Sequence, residues 1–462
     1  MYLLLFTLLF PYSVYSYEEL PVDARESVST KGDTNKQEST NEGIDLNILN
    51  IPEKKLEGKL GINTIANLIS DNIIGSQEVV LVDKAARRMY VAKISEDKME
   101  VLKEFPVLTG RIEGNKIKQG DEKTPEGVYY VVSYTSGKDL VKKYGDYALI
   151  YGAGSFPINY PNIIDKIYRK TGGGIWLHGI NDKEHKNYTR GCVALNNKHF
   201  LEMAEKIKIS TPVIIAENLI YTNNNEDYNK IKEERLNLLN DFTKKWSENN
   251  KEAYSNFIHN KFRTNSGVKS KQYLRTKLSL MDRYPEKIIQ NYNTKVFMHS
   301  EKYTVYDVNQ FYCAANMSSY SNKKYYFVEN KLISEEIYNL PLASTPGLNN
   351  FILNYVNSWV DAWTSQDIQN YMSYYHTRFK SGKDNYSSWK ARKTRLFNNK
   401  NEISIKVSDV KWSVQNGVYT ITFVQDYSAG NLSDKGVKTL KLSGCPTSFK
   451  ILSETWRGIW DF

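Results

Sequence analysis

The sequence predicts a multidomain protein in which a mostly β domain is followed by two α+β domains. Three observations support this fold class. At 462 residues the chain is too long for one ordinary hydrophobic core. Residues 77–218 contain short apolar runs separated by Gly, Asp and Pro, a pattern typical of β-strands. Beyond Asn218 the sequence repeats itself, which predicts two homologous domains.

Residues 1–16 are predicted to be a signal peptide. The apolar run from Leu3 to Phe10 is followed by Val14-Tyr15-Ser16, whose outer positions resemble a small-residue cleavage site. A retained membrane anchor is the alternative, although the run is shorter than the ~20 apolar residues that a membrane-spanning helix needs. We therefore expect the protein to be exported.

Residues 17–76 are predicted to be a polar tether that ends in a short helical segment. Between Glu26 and Glu42 almost every side chain is polar, which is typical of a disordered segment. Apolar residues then recur at helical spacing and predict a short helix that could pack or dimerise: Leu60, Ile62, Ile65, Leu68 and Ile69.

Residues 77–218 are predicted to form the β domain. Asn196-Asn197-Lys198 predicts the start of a helix near its end, and Pro212–Ala216 predicts a closing strand. Earlier strands are predicted at four apolar runs: Val79–Val82, Met89–Ala92, Val101–Val107 and Val128–Val132.

The repeat defines residues 226–340 and 347–462, called the first module and the second module below. Each begins with an amphipathic helix and ends in alternating strands, an order that resembles the cone-shaped nuclear-transport-factor-like fold. In the strands, Tyr303-Thr304 aligns with Tyr419-Thr420 at an offset of 116. In the helices the offset is 117: Phe242, Trp246, Tyr254, His259 and Phe262 correspond to Trp359, Trp363, Tyr371, His376 and Phe379.

The net charge of +10 favours an anionic partner. The sequence contains no zinc-finger spacing, basic zipper or Walker loop, so nucleic acid is not the expected partner. A polyanionic cell envelope fits this charge. The spacing of His, Cys and carboxylate residues predicts no metal site, and no cofactor is expected.

The chemistry is predicted to lie in two segments of the β domain. Residues 172–179 read GGGIWLHG, and residues 189–196 read TRGCVALN. A thiol is mostly protonated at neutral pH unless a neighbouring imidazole accepts its proton. Cys192 is therefore the candidate nucleophile, and His178 is the candidate base.

These segments resemble the catalytic signature of the L,D-transpeptidase (YkuD-type) family, as does Thr124-Pro125-Glu126-Gly127 upstream. Tyr151-Gly152 and residues 159–162 are similar to its branch of murein-trimming enzymes, which includes cell-shape L,D-carboxypeptidases with a C-terminal nuclear-transport-factor-like domain. The resemblance implies peptidoglycan stem peptides as substrate and a location in the periplasm or cell envelope. Two C-terminal modules instead of one depart from the family pattern.

Other residues of the motif receive predicted roles. The resemblance implies that the backbone carbonyl of Gly179 holds the His178 ring. The amides of Gly191 and Cys192 are expected to face the oxyanion of a tetrahedral intermediate. The predicted substrate-binding residues are Arg190, which would meet a stem-peptide carboxylate, together with Thr189, Trp176 and Tyr160.

The remaining cysteines and two histidines are predicted to be structural. A total of three cysteines argues against a disulfide framework, so Cys313 and Cys445 are expected to be buried thiols in the module cores. His259 and His376 occupy equivalent repeat positions and could line a ligand pocket, but packing of the helices is the preferred interpretation.

Three functions stay open at this point. If water resolves a thioester on Cys192, the protein is an L,D-carboxypeptidase that converts tetrapeptide stems to tripeptides and releases D-Ala. If an amine of another stem resolves it, the protein is an L,D-transpeptidase. A non-catalytic wall-binding scaffold is the third hypothesis. The resemblance favours the carboxypeptidase.

Overall fold

The structure is a computed structural model that describes residues 60–180, 187–399 and 402–459. The predicted signal peptide and most of the predicted tether lie outside these residues. Within them, no helix is long and apolar enough to cross a membrane.

Helices α1 to α9 are Gly137–Tyr144, Ile163–Ile167, Asn197–Ala204, Asn225–Ser247, Lys251–Asn256, Ser270–Arg283, Leu348–Thr364, Ile368–Ser373 and Tyr386–Asn398. In addition, 3₁₀ helices cover Asp146–Tyr151, Leu342–Ser344 and Pro446–Ser448.

Strands β1 to β10 are Leu68–Asp71, Ser76–Asp83, Arg88–Ser95, Lys98–Pro106, Gly127–Tyr130, Thr135–Ser136, Gly154–Pro157, Trp176–His178, Val193–Ala194 and Pro212–Ala216. Strands β11 to β20 are Lys287–Ser300, Tyr303–Ala314, Met317–Val328, Lys331–Leu340, Lys380–Ser381, Asp384–Asn385, Ile403–Gln415, Val418–Ala429, Leu432–Ser443 and Lys450–Gly458. Strand β1 joins the sheet of the first module, β2 to β10 belong to the β domain, and β11 to β20 belong to the two modules.

The β domain contains two sheets that share one hydrophobic core. The larger sheet has the order β4-β3-β2-β10-β5, in which only β2 and β10 run parallel. The smaller sheet has the order β6-β7-β8-β9. Val80 and Val82 of the larger sheet, Leu177 and Val193 of the smaller one, and Phe200 of α3 belong to the same core. The prediction of a mostly β domain is confirmed.

The opposite face of the larger sheet is buried against the first module. Leu81 and Tyr90 of this face form one cluster with Phe297, Val305 and Tyr326 of the module. A sheet covered on both faces needs apolar side chains in both directions. This explains why the sequence at β2 is an uninterrupted apolar run and not an alternating one.

Residues 60–71 do not form the predicted helix. Leu68–Asp71 is strand β1, which pairs antiparallel with β11 and sets Leu68 opposite Phe297. Asn67 fixes the entry to the strand, because its Oδ1 accepts from Ile220 N at 2.6 Å and its Nδ2 donates to Met298 O at 2.7 Å. As a strand, the segment sends Leu68 and Ile69 into two different cores, one on each face of the sheet.

The two modules have the same order of elements, as the repeat predicts. Each runs from a long helix (α4 or α7) through two further helices to four antiparallel strands (β11–β14 or β17–β20). In each, two lysines lie over the tryptophan of the long helix. These are Lys277 and Lys323 over Trp246 at 4.2 and 4.9 Å, and Lys393 and Lys438 over Trp363 at 3.7 and 5.2 Å.

The strand register corrects one predicted alignment. Lys323 and Lys438 are buried equivalents at an offset of 115. The predicted offset of 116 sets Tyr303 against Tyr419, yet Tyr303 packs on the β domain while Tyr419 lies in the core of its own module. A shift of one residue along a strand turns every side chain to the opposite face, so the predicted offset is wrong there.

Cys313 and Cys445 are not the free thiols that the sequence predicts, because they form a disulfide with a Cα–Cα distance of 5.8 Å. Cys313 lies on β12 of the first module, and Cys445 follows β19 of the second. The bond spans 132 residues of sequence and therefore joins the modules covalently. Phe311 and Tyr320 of the first module complete the junction by packing in the core of the second.

The shared core predicts that the β domain and the first module unfold together. Replacing Phe297 by Ala should lower the free energy of unfolding by about 3–5 kcal/mol, because the ring is fully buried between the two domains. Thermal unfolding followed by circular dichroism should show one displaced transition for both domains. Phe351→Ala is the matched control, since that ring is 38 % exposed. Two independent transitions, with only one displaced, would contradict a common core.

The disulfide predicts how the cysteines label. In denaturant without reductant, iodoacetamide should modify only Cys192, whereas prior reduction should expose all three cysteines. In the chain-entropy model, a disulfide that closes a loop of this length stabilises the folded state by roughly 4–5 kcal/mol. Reduction should therefore also lower the melting temperature. Peptide mass mapping that found Cys313 or Cys445 alkylated without reductant would show that the bond is absent.

Candidate active site

Two parallel strands place the candidate nucleophile and base on one face of the smaller sheet. Strand β8 pairs with β9 so that Leu177 lies opposite Val193 and His178 opposite Ala194. Cys192, just before β9, therefore lies at the level of Trp176. Since side chains alternate along a strand, Cys192 and His178 share a face, while Leu177 and Val193 point into the core on the other side.

The imidazole of His178 is held by its own strand end, as predicted. Nδ1 lies 2.6 Å from the carbonyl oxygen of Gly179. A carbonyl oxygen can only accept, so Nδ1 carries the proton and Nε2 is the basic nitrogen. This is the tautomer that a general base for a thiol requires.

Gly179 is needed for a steric reason as well. A Cβ at this position would lie 2.5 Å from Oδ1 of Asn197, which accepts from Ala153 N at 2.7 Å. The Asn197 side chain therefore binds the segment before β7 and occupies the space that a side chain at position 179 would need. Asn197 is not among the predicted site residues, and its place at the start of a helix is the only signal for it in the sequence.

Cys192 lies in a small cluster of mainly aromatic side chains. Its side chain is 2 % exposed and packs with Leu140, Tyr151 and Trp176. Sγ lies 3.6 Å from the carbonyl oxygen of Gly174, in the triple-glycine segment. The thiol is thus held close to backbone at the bottom of the site.

Tyr151 is a site residue that the predicted site lacked. It is fully buried at the end of the 3₁₀ helix 146–151, with its ring 4.9 Å from Trp176 and edge-on to His178 at 5.0 Å. Trp176 itself is 4 % exposed and packs in the same cluster as Cys192. The edge-on contact of Tyr151 therefore restricts the orientation of the imidazole.

The turn before the nucleophile is closed by Thr189. Its Oγ1 donates to the carbonyl of Cys192 at 2.7 Å and accepts from the amide of Gly191 at 3.1 Å. This corrects two predicted roles. The Thr189 hydroxyl is used inside the turn and does not bind substrate, and the Gly191 amide is committed to Thr189 and does not face an oxyanion.

Gly191 is required by the backbone instead. Its φ is +133°, and a Cβ there would lie 2.8 Å from the carbonyl oxygen of Lys123. Any side chain at this position would push the Cys192 turn away from residues 121–127.

Arg190 lies at the rim of the site, beside Glu122. The distance from Nε to Oε1 is 4.0 Å, and the Arg190 side chain is 25 % exposed. Glu122 also pairs with Arg111, whose guanidinium lies 5.6 Å from the ring centre of Tyr188. Two guanidinium groups around one carboxylate leave a cationic rim, which is suited to an anionic substrate group.

Tyr160 does not belong to the site. It is fully buried in the core between the two sheets, and its hydroxyl donates to the carbonyl of Thr171 at 3.2 Å. Its edge-on contact with Tyr129 at 6.0 Å completes this packing. The predicted substrate-binding role of Tyr160 is therefore wrong, because the residue cannot reach the site face.

His259 and His376 form equivalent turns. Nδ1 of His259 accepts from the amide of Lys261 at 3.0 Å, and Nδ1 of His376 accepts from that of Arg378 at 2.9 Å. Both therefore have a structural role, in a turn after the short helix. Among the described residues there is no group of three or more His, Cys, Asp or Glu that could hold a metal ion.

A buried cysteine and an imidazole of fixed tautomer thus lie on one face of adjacent strands, and cysteine-dependent acyl transfer requires these two groups. Residues 77–215 match the family model of YkuD, the L,D-transpeptidase catalytic domain. Residues 351–455 match the Cds6 C-terminal NTF2-like domain, where NTF2 is nuclear transport factor 2. The chain thus contains a YkuD-family L,D-transpeptidase catalytic domain and a C-terminal NTF2-like domain, as its sequence motifs indicate.

Two solved structures resemble much of the chain. Bd1075 of Bdellovibrio bacteriovorus is 22% identical and has a TM-score of 0.32, over 86% of this chain and 99% of that one. Pgp2 of Campylobacter jejuni, a helical cell shape determining protein, is 20% identical with a TM-score of 0.29, over 85% and 94%. A comparison with curated proteins gave no match.

The fixed tautomer predicts that His178 controls the reactivity of Cys192. In a His178→Gln variant, native-state alkylation of Cys192 by iodoacetamide at pH 7 should slow by about tenfold, because an unassisted thiol is only a few per cent ionised there. The alkylation rate is measured by mass spectrometry of samples quenched at successive times. His199→Ala, a half-buried histidine that packs on Phe105, is the matched control. An unchanged rate in His178→Gln would exclude His178 as the base.

Proposed function

We propose that this protein is an L,D-carboxypeptidase of peptidoglycan, acting outside the cytoplasm in the cell envelope. The substrate would be a tetrapeptide stem, cut between the L-centre of its diamino acid and the terminal D-Ala. The observation that carries this proposal is the placement of Cys192 and His178 on one face of adjacent strands, with Nδ1 of His178 bound to the Gly179 carbonyl.

In the first half-reaction, Nε2 of His178 takes the proton of the Cys192 thiol as Sγ attacks the amide carbon. The C–N bond then breaks, a thioester forms on Cys192, and the imidazolium returns its proton to the amine of the leaving D-Ala. The cationic rim of Arg190 and Arg111 supports this assignment, since the leaving residue ends in a carboxylate.

In the second half-reaction, a water loses its proton to His178 and attacks the thioester, which releases the tripeptide and restores the thiol. An amine of a neighbouring stem in place of water would give a cross-link, which is transpeptidation. The resemblance of the motifs to the murein-trimming branch supports hydrolysis and a role in cell shape, and the NTF2-like match of the second module agrees with the C-terminal domain of that branch. A purely scaffolding role would leave the Cys192–His178 arrangement without use.

Incubation with a purified disaccharide tetrapeptide tests this proposal. The wild type should release free D-Ala and a tripeptide, detected by liquid chromatography and mass spectrometry, without cross-linked dimers and in the presence of a metal chelator. Cys192→Ala and His178→Gln should each reduce the rate at least about 10³-fold, and the double variant should be barely slower, since paired catalytic groups act as a unit.

Phe351→Ala, with its exposed ring far from the motif in sequence, serves as the activity control. Cross-linked dimers as the main product would identify a transpeptidase. D-Ala release that persists in Cys192→Ala would refute the mechanism altogether.

A further inference from the structure

The loop that holds Cys192 rests on the turn 121–127. Thr124 Oγ1 accepts from the amide of Gly110 at 2.8 Å. Gly110 lies in the segment that pairs with Thr189, whose amide donates to Thr109 O at 2.8 Å. The Thr189 hydroxyl closes the turn before Cys192. Three successive hydrogen-bonded contacts therefore connect residues 121–127 to the Cys192 turn.

The same turn is tied to the first module by the side chain of Glu126. Oε2 of Glu126 lies 3.3 Å from Nε2 of His299, at the end of β11. Oε1 accepts from Nζ of Lys84 at 2.8 Å, and Lys84 also bonds Glu217 and the carbonyl of Gly114, each at 2.8 Å. Glu126 is only 12 % exposed, so these partners replace its hydration.

The backbone of Glu126 is equally constrained. Its amide donates to Asn115 Oδ1 at 3.0 Å, and its carbonyl accepts from the Tyr129 hydroxyl at 3.1 Å. Both the side chain and the backbone of Glu126 are therefore held by neighbouring residues. Burial raises the pKa of Glu126, but the hydrogen bonds from His299 and Lys84 outweigh it and bring the pKa to about 2. The Glu126 carboxylate is consequently charged throughout the neutral pH range.

We propose that Glu126 and His299 are positioning residues, through which docking of the first module sets the conformation of the Cys192 loop. The module would then be part of the catalytic machinery and would do more than cover a hydrophobic face. The kinetic test of this inference rests on the proposed carboxypeptidase activity, but the alkylation rate of Cys192 tests it independently.

Substitutions in the full-length protein can separate positioning from packing. We expect His299→Ala to lower kcat for a soluble disaccharide tetrapeptide by about tenfold and to leave KM within about twofold, since coupling through such contacts is of this order. Alkylation of Cys192 should slow in parallel. His299→Gln, which keeps a side-chain N–H able to donate to Glu126, should restore most of both rates. Glu126→Gln should also lower kcat.

Two matched controls are available in the chain. Glu217→Gln removes a carboxylate from the same Lys84 but leaves the turn untouched, and His259→Ala removes a histidine from the same module at a distance from Glu126. Neither should change kcat or alkylation. The melting temperature of each variant reports whether it is folded.

The outcomes distinguish the hypotheses. If His299→Ala and Glu126→Gln lower the melting temperature but leave kcat and alkylation unchanged, the contact is only structural and the proposal is overturned. If Glu217→Gln slows the enzyme as much as Glu126→Gln, the effect belongs to Lys84 and the proposal is also overturned. If the wild type releases no D-Ala, the proposed function fails, and the alkylation rates alone then decide on positioning.

Discussion

The structure depends on one constraint, which is that the larger sheet of the catalytic domain is apolar on both faces. One face packs against the smaller sheet that bears Cys192 and His178, and the other packs against the first module. Without the module, side chains such as Leu81 and Tyr90 would face water, at a cost of about 1.5–3 kcal/mol for each large apolar group. The catalytic domain is thus complete only with its neighbour, although residues 77–215 alone match the family.

The sequence predicted the placement of the candidate nucleophile and base better than that of the side chains around them. The motifs singled out Cys192 and His178, and the family resemblance implied that the Gly179 carbonyl holds the His178 ring. In the structure Nδ1 of His178 lies at that carbonyl, and Cys192 shares a face with His178. Thr189 and Tyr160 were assigned wrongly, because Thr189 uses its hydroxyl inside its own turn and Tyr160 is buried in the core between the two sheets. Proximity to a motif in sequence is therefore a weak guide to which side chains line a site.

Long-range pairing also explains the errors in the fold. A short apolar run is compatible with a helix or with a strand. The segment around Leu68 is a strand because it pairs with the edge of β11, a contact that the local sequence does not show. The pairing of Cys313 with Cys445 could not be deduced from spacing, since it joins two modules across 132 residues. The domain order and the repeat needed no such contacts, and the sequence alone predicted both.

The repeat has diverged most clearly on the outer face of its sheet. In the first module this face carries Val305 and Tyr326, which are buried against the catalytic domain. At the offset of 115 the second module has Thr420, which is half-buried, and Lys441, which is exposed. The inner faces kept the same buried lysine over the tryptophan of the long helix. The two modules therefore share the same interior but differ on the outer face of the sheet. In the first module this face is apolar and covers the catalytic domain, whereas in the second module it is more hydrophilic.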